Sequence, residues 1–418
     1  MSAQRFFLIV FVPFILVLTI LSCSQVEKQT LQAGIWRATL KTKLGAEIPF
    51  NFEVLDSADK KLIHIINGEE RFRVDEITLK DDSVTIQMPL FESEIRALLV
   101  NNNLSGKWVK HLRDTNPEME FTAVPNATWR FFNTDVTANY DLSGRWSATF
   151  LSSDKKDTTV AIGEFKQNNT RLTGTFLTST GDYRFLEGTV SDNKLYLSCF
   201  DGSHAYLFTG KLINDSTIAS GTFHSGLTSM ETWTAKKDEH AILPDAYSLT
   251  GLKSGFDKLE FSFLNLNNEK ISLADNKFKN KVVVVQFFGS WCPNCMDETA
   301  YLSSFYDTYK NKGVEIIGLA YERSTDLERS KKSVRRMKDR FNVKYDMLIT
   351  GYTDNKLEVV KSLPMLDQFV AFPTIILVDK SGKVRKIHTG FSGPGTGSHY
   401  TDFVKEFENN INNLLAEK

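Results

Sequence analysis

The sequence predicts an α/β unit at the C-terminus, preceded by two tandem all-β units, each a barrel or a sandwich. Three observations lead there. The apolar run Val282-Val283-Val284-Val285-Gln286-Phe287-Phe288 reads as a strand buried on both faces, and apolar residues at helical spacing follow it. A weak internal duplication spans residues 34–235 and is written in short alternating strands with Asn, Asp and Gly turns. The length of 418 residues allows about three cores of ordinary size.

At the N-terminus, Arg5 precedes an apolar segment over residues 6–21, then Ser22 and Cys23. Length and flanks are those of a signal peptide. Ile20-Leu21-Ser22-Cys23 resembles a bacterial lipobox, which implies cleavage after residue 22 and lipidation of Cys23. Residues 1–22 are then the lipoprotein signal peptide and 23–32 a tether; an uncleaved anchor helix is the alternative. Both readings fasten the chain to a membrane, and the lipobox implies the periplasmic face of a bacterial one. Three cysteines remain in a long chain, too few for a disulfide framework, so stability must come from apolar cores.

The first β unit is expected over 33–127 and the second over 140–237. Gly34-Ile35-Trp36-Arg37-Ala38-Thr39-Leu40 matches Gly144-Arg145-Trp146-Ser147-Ala148-Thr149-Phe150. Near the end of each copy, Met119-Glu120-Phe121-Thr122-Ala123 pairs with Met230-Glu231-Thr232-Trp233-Thr234-Ala235. Strands bearing Gly-x-Trp would let aromatic rings plug two self-contained cores.

The third unit is expected over 251–418. After the apolar run comes Trp291-Cys292-Pro293-Asn294-Cys295, and then Met296, Leu302, Phe305, Tyr306 and Tyr309 at helical spacing. The two cysteines therefore sit where a strand ends and a helix begins. Free N–H groups and the positive dipole end at a helix N-terminus stabilise a thiolate, the species that attacks disulfides. Cys292 is expected to be exposed and attacking, and Cys295, one turn in, to be resolving. A structural zinc site would need two further ligands nearby, and the other cysteines, Cys23 and Cys199, are distant.

This segment, with Phe372-Pro373-Thr374 ahead of the strand Ile375-Ile376-Leu377-Val378-Asp379, resembles the thioredoxin fold. Within that fold it is similar to TlpA-like membrane-anchored thiol–disulfide reductases. The resemblance implies a mixed sheet with flanking helices, a cis Pro373 facing the dithiol, and a substrate-binding face formed by Trp291, Phe372 and Pro373. It also implies disulfide-containing protein substrates and an upstream membrane electron donor. One departure matters. Cytoplasmic thioredoxins carry an Asp six residues before the first cysteine, where this chain has Gln286, which cannot titrate. Glu298 is the substitute: spacings of four, three and four place it on one stripe with Leu302, Phe305 and Tyr309. Burial there would raise its pKa towards the range useful for proton transfer.

A thiol peroxidase on a related fold is the enzymatic alternative, but it would require a Thr where Gly289 stands. A ligand-binding surface lipoprotein with an accessory redox domain is the non-enzymatic one. No dinucleotide or flavin motif is present, so the thiols are the only redox groups visible and no cofactor is expected. Cys199, His204 and His224 carry no metal-ligand spacing. The basic segment 329–340, after Ser324 as helix cap, is expected to be the solvated face of an amphipathic helix with Leu327, Val334, Met337 and Phe341 on its apolar stripe. Lys plus Arg number 50 and Asp plus Glu 51, so nothing marks the chain as a nucleic-acid binder.

Overall fold

The computed structural model describes residues 30–57, 60–112 and 114–417. Cys23 and the apolar segment before it lie outside the described residues.

Each β unit is a meander of antiparallel strands that starts with its Gly-x-Trp segment. In the first, Gly34–Lys41 pairs on one side with Glu47–Ser57 and on the other with the last strand, Glu118–Pro125. In the second, Gly144–Ser152 lies likewise between Thr158–Asn168 and the closing strand Ser229–Lys237. The duplication extends to single atoms. Gly34 and Gly144 hold φ of 115° and 109°, conformations that favour glycine. The indole N–H groups of Trp36 and Trp146, both fully buried, each donate at 2.9 Å to the carbonyl four residues earlier, on Gln32 and Leu142. Ala38 faces Ala123 where Ala148 faces Ala235, so small residues let the first and last strands of each unit approach in the same way.

The copies differ in closure. The second sheet is a barrel, because Thr158–Asn168 also pairs with Arg171–Thr178. Its interior is filled by rings, among them Trp146, Phe150, Phe176, Phe208 and Trp233. The first is a curled nine-stranded sheet whose two edge strands, Glu70–Val74 and Glu76–Lys80, do not pair with each other. Only the second unit holds a core of its own, contrary to the expectation of two self-contained cores. The first unit's interior runs on into the helices of the C-terminal unit and takes in Phe200, Ala205 and Leu207 of the second.

The C-terminal unit is a seven-stranded mixed sheet. Its central strand, Val282–Phe288, runs parallel to Val314–Glu322 and antiparallel to Thr374–Val378. Period-two alternation sorts the central strand between two layers. Val282 and Val284 face the helices Pro293–Tyr309, Leu327–Arg340 and Ser398–Ala416. Val283, Val285 and Phe287 face the other side, against Val359 and Leu363 from helix Lys356–Ser362 and its C-cap. Full burial of each such side chain is worth roughly 1.5–3 kcal/mol, which fixes the end of this strand, and so the dithiol loop, against the sheet. The helix Leu327–Arg340 is capped by Asp326, whose carboxylate accepts the Arg329 N–H at 2.8 Å, rather than by Ser324.

Candidate redox site

The dithiol forms where the buried strand ends. Gly289, Ser290 and Trp291 turn the chain, and Cys292 caps the helix Pro293–Tyr309. Pro293 occupies the first helical position, where a missing N–H costs nothing and φ is preset. Cys292 and Cys295 are joined as a disulfide with Cα atoms 5.2 Å apart, and Cys292 Sγ accepts the backbone N–H of Cys295 at 3.2 Å. A free N–H of the first helical turn thus points at the sulfur that would carry charge on reduction.

Supporting residues hold this loop. Glu322 accepts both the N–H of Ser290, at 2.9 Å, and its hydroxyl, at 2.7 Å. Burial pushes the Glu322 carboxyl up to about 7, and the two Ser290 hydrogen bonds offset only part of that. The Trp291 indole donates to Tyr321 O at 3.0 Å, meets Phe372 edge-on at 5.7 Å and lies under the Arg323 guanidinium. The Phe372–Pro373 peptide is cis, and the Phe372 carbonyl lies 4.0 Å from Cys292 Sγ. A side chain at Gly289 would overlap the Trp291 ring, so the position where a peroxidase needs Thr has no room for one while Trp291 is seated.

Glu298 lies on the buried stripe with Leu302, Phe305 and Tyr309. Gln286 donates its amide to Glu298 at 2.9 Å and to Thr299 at 3.1 Å, and accepts from the Tyr345 hydroxyl at 3.2 Å. The other carboxyl oxygen of Glu298 has no partner. Burial pushes this carboxyl up to about 8, and the Gln286 amide pulls it back only in part. At neutral pH it is a largely protonated acid within the first turns of the dithiol helix.

A redoxin family model matches residues 254–403. Over 133 residues the chain is 32% identical to thiol-disulfide oxidoreductase ResA of Bacillus thuringiensis, a match covering 32% of this chain and 68% of that relative. The ResA of Geobacillus kaustophilus is 29% identical over 141 residues, 34% of this chain and 72% of that one. Among solved structures, a thioredoxin-family thiol:disulfide interchange protein from Chlorobium tepidum aligns with 40% of this chain and 100% of its own, at 19% identity and a TM-score of 0.30. The chain belongs to the ResA-like thiol–disulfide oxidoreductases.

In this oxidoreductase Cys292 is not exposed, contrary to the expectation from the sequence. Cys292 is 6% exposed and Cys295 fully buried. Two loops of the second β unit meet the residues on either side of Cys292. Gly181 lies against Asn294, whose amide donates to Asp182 O at 3.3 Å, and the Ser203 hydroxyl reaches Trp291 O at 3.4 Å. Lys110 of the first unit holds Ser203 O from behind at 2.8 Å.

Arg184, which nothing in the sequence singled out, is buried at the junction of all three units. Its guanidinium pairs with Asp297 of the dithiol helix and with Glu70 of the first unit, lies 3.5 Å from Asp201, and donates to Pro293 O at 3.3 Å. Asp297 is pushed up to about 7 by burial, against the pull of Arg184 and with the push of Glu70, Asp182 and Asp201.

The basic helix is not simply solvated either. Arg329 forks onto Glu92 of the first unit at 3.0 and 2.9 Å, and Arg340 lies over Phe72. Cys199 is buried with a free thiol, and His204 sits 3.2 Å from Asp201.

Proposed function

We propose that this oxidoreductase works as a reductase of protein disulfides, tethered through Cys23 at the periplasmic face of a bacterial membrane. The observation that carries the chemistry is Cys292 at the helix N-terminus, with Cys295 buried one turn behind it. In the reduced protein the Cys292 thiolate attacks one sulfur of a substrate disulfide. A Cys292–substrate bond forms, and the second substrate sulfur leaves as a thiolate and takes a proton. Cys295, its proton taken by the ionised fraction of Glu298 that a pKa of about 8 leaves at neutral pH, attacks Cys292 Sγ. The Cys292–Cys295 disulfide closes and the first substrate sulfur leaves as a thiol. Two electrons have passed from the dithiol to the substrate, and an upstream membrane donor returns them. Trp291, Phe372 and Pro373 frame the face that a substrate peptide meets.

The tether rests on residues 6–23 of the sequence alone. Among the described residues no helix is long and apolar enough to cross a membrane. The direction of exchange is tested by equilibrating the dithiol against glutathione. A potential well below that of glutathione is expected, and one well above it makes the protein an oxidant. Mass spectrometry of the mature N-terminus tests the tether: a lipid-modified Cys23 is expected, and an unmodified chain starting elsewhere removes it.

A further inference from the structure

In-line attack needs a substrate sulfur to reach Cys292 Sγ. With the three units docked as they are, Cys292 is almost wholly buried, and the loops at residues 178–182 and 201–203 bond to its neighbours Asn294 and Trp291. The contact runs along the rim of the site. Thr180 lies against Gly390, whose N–H binds Pro373 O at 2.9 Å, and Asp182 accepts the Gly393 N–H at 2.7 Å. Asn294 and Trp291, on either side of Cys292 and Pro293, bond to residues 182 and 203.

We propose that the second β unit is a gate on the redox site: the chain reduces protein disulfides only after the hairpin at residues 178–182 swings away from the dithiol helix, and Arg184 is the latch that holds it down. The gate rests on the reductase reading of the dithiol.

Two features make Arg184 the latch. It is carried by the gate beside Asp182, and its partners lie on both other units, Asp297 and Pro293 O on the dithiol helix and Glu70 on the first β unit. A buried guanidinium parted from its carboxylates is strongly destabilised unless it reaches water, so these pairs hold the closed arrangement. A second tie lies away from the dithiol. His399 at the start of the last helix meets Glu164 of the barrel at 2.9 Å, and Arg145 meets the same carboxylate at 2.6 Å. This tie gives a handle on the gate that leaves the redox machinery untouched.

The test has two arms. In the first, Glu164→Cys and His399→Cys are introduced together and joined by a short bismaleimide while the native pair is still a disulfide; the native pair is then reduced. Linking should lower the rate of insulin reduction at least tenfold relative to the same double variant left unlinked. A linked chain as fast as the unlinked one overturns the gate. In the second arm, the reduced parent and Arg184→Gln are alkylated with iodoacetamide, and modification of Cys292 is timed by mass spectrometry. Release of the latch should speed alkylation at least tenfold, and linking should slow it. Equal alkylation rates in linked and unlinked chains overturn the gate. The linked chain needs no Arg184 variant, so the test survives if Arg184→Gln does not fold. An unlinked chain that fails to reduce insulin counts against the reductase reading, and the alkylation rates still decide the gate.

Discussion

Replacing Glu298 by Gln should flatten the pH dependence of stability and slow disulfide exchange at the same time. Glu298 is fully buried, with one carboxyl oxygen on the Gln286 amide and the other unpartnered. Burial moves its pKa from the ordinary 4.5 to about 8. For an acid whose folded pKa lies above its unfolded one, stability is full below the unfolded value. It erodes as pH rises between the two values and levels off above the folded one. The slope is about 1.4 kcal/mol per pH unit, so by pH 7 the buried carboxyl costs ~3 kcal/mol that it does not cost at pH 4.5. Gln carries no such term. Its new N–H group, if unsatisfied, costs about 1–3 kcal/mol, but equally at every pH. The stability of Glu298→Gln relative to the parent should therefore climb by ~3 kcal/mol between pH 4.5 and 7. Urea unfolding of the oxidised proteins, followed by circular dichroism across that range, measures it. Insulin reduction near pH 7 should meanwhile slow by up to about 100-fold, the low end of what a positioned proton carrier supplies. Parallel stability curves together with unchanged rates would refute both the buried protonated acid and its part in the exchange.

Cys295→Ser should leave partners trapped as mixed disulfides on Cys292, since the resolving thiol is gone. Mass spectrometry of the adducts checks it, and trapping by Cys292→Ser instead would reverse the two roles. Trp146→Ala empties the centre of the second barrel and removes the indole bond to Leu142. It should cost about 3–5 kcal/mol in urea unfolding, and a loss under 1 kcal/mol would mean that the ring does not plug the barrel. Gly289→Thr must displace the Trp291 ring from Tyr321 O. It should cost about 1–3 kcal/mol and shift Trp fluorescence without conferring peroxide consumption, and measurable peroxidase turnover would contradict the close packing of Trp291 on Gly289.

The chemistry of the site was legible in the sequence because it is local. The run from Val282 to Phe288, Cys292, Cys295 and the stripe through Glu298 lie within one strand and one helix, where periods of 2 and 3.6 can be read directly. The β duplication was legible because each copy repeats Gly-x-Trp in a strand of the same role. The cover was not. It is built from pairs such as Arg184 with Asp297, 113 residues apart, and Arg329 with Glu92, 237 apart. Single polar residues in loops leave no periodic trace. The solvated reading of the basic helix failed for the same reason: its charge pattern states that one face is polar, but not that another unit supplies the carboxylate. The merging of the first unit's core with its neighbours was equally hidden, because alternation along a strand shows that a face is buried but not what buries it.

Phe200 has a bearing on the order in which the chain is made. It belongs to the second β unit, yet its ring stands 4.3 Å from Phe50 and 5.2 Å edge-on to Trp108, inside the first. Its backbone is held at both N–H and carbonyl by the Asn67 side-chain amide. During synthesis, residues 34–125 leave the ribosome with an interior that lacks this plug, and about 75 further residues must emerge before it arrives, several seconds at ordinary elongation rates. The first unit thus waits for the second, and its interior then closes only when the helices of the C-terminal unit pack onto it. Cys292 and Cys295 emerge before the last helix, Ser398–Ala416, which lines the same shared interior, so the walls of the site are finished only after that helix has followed.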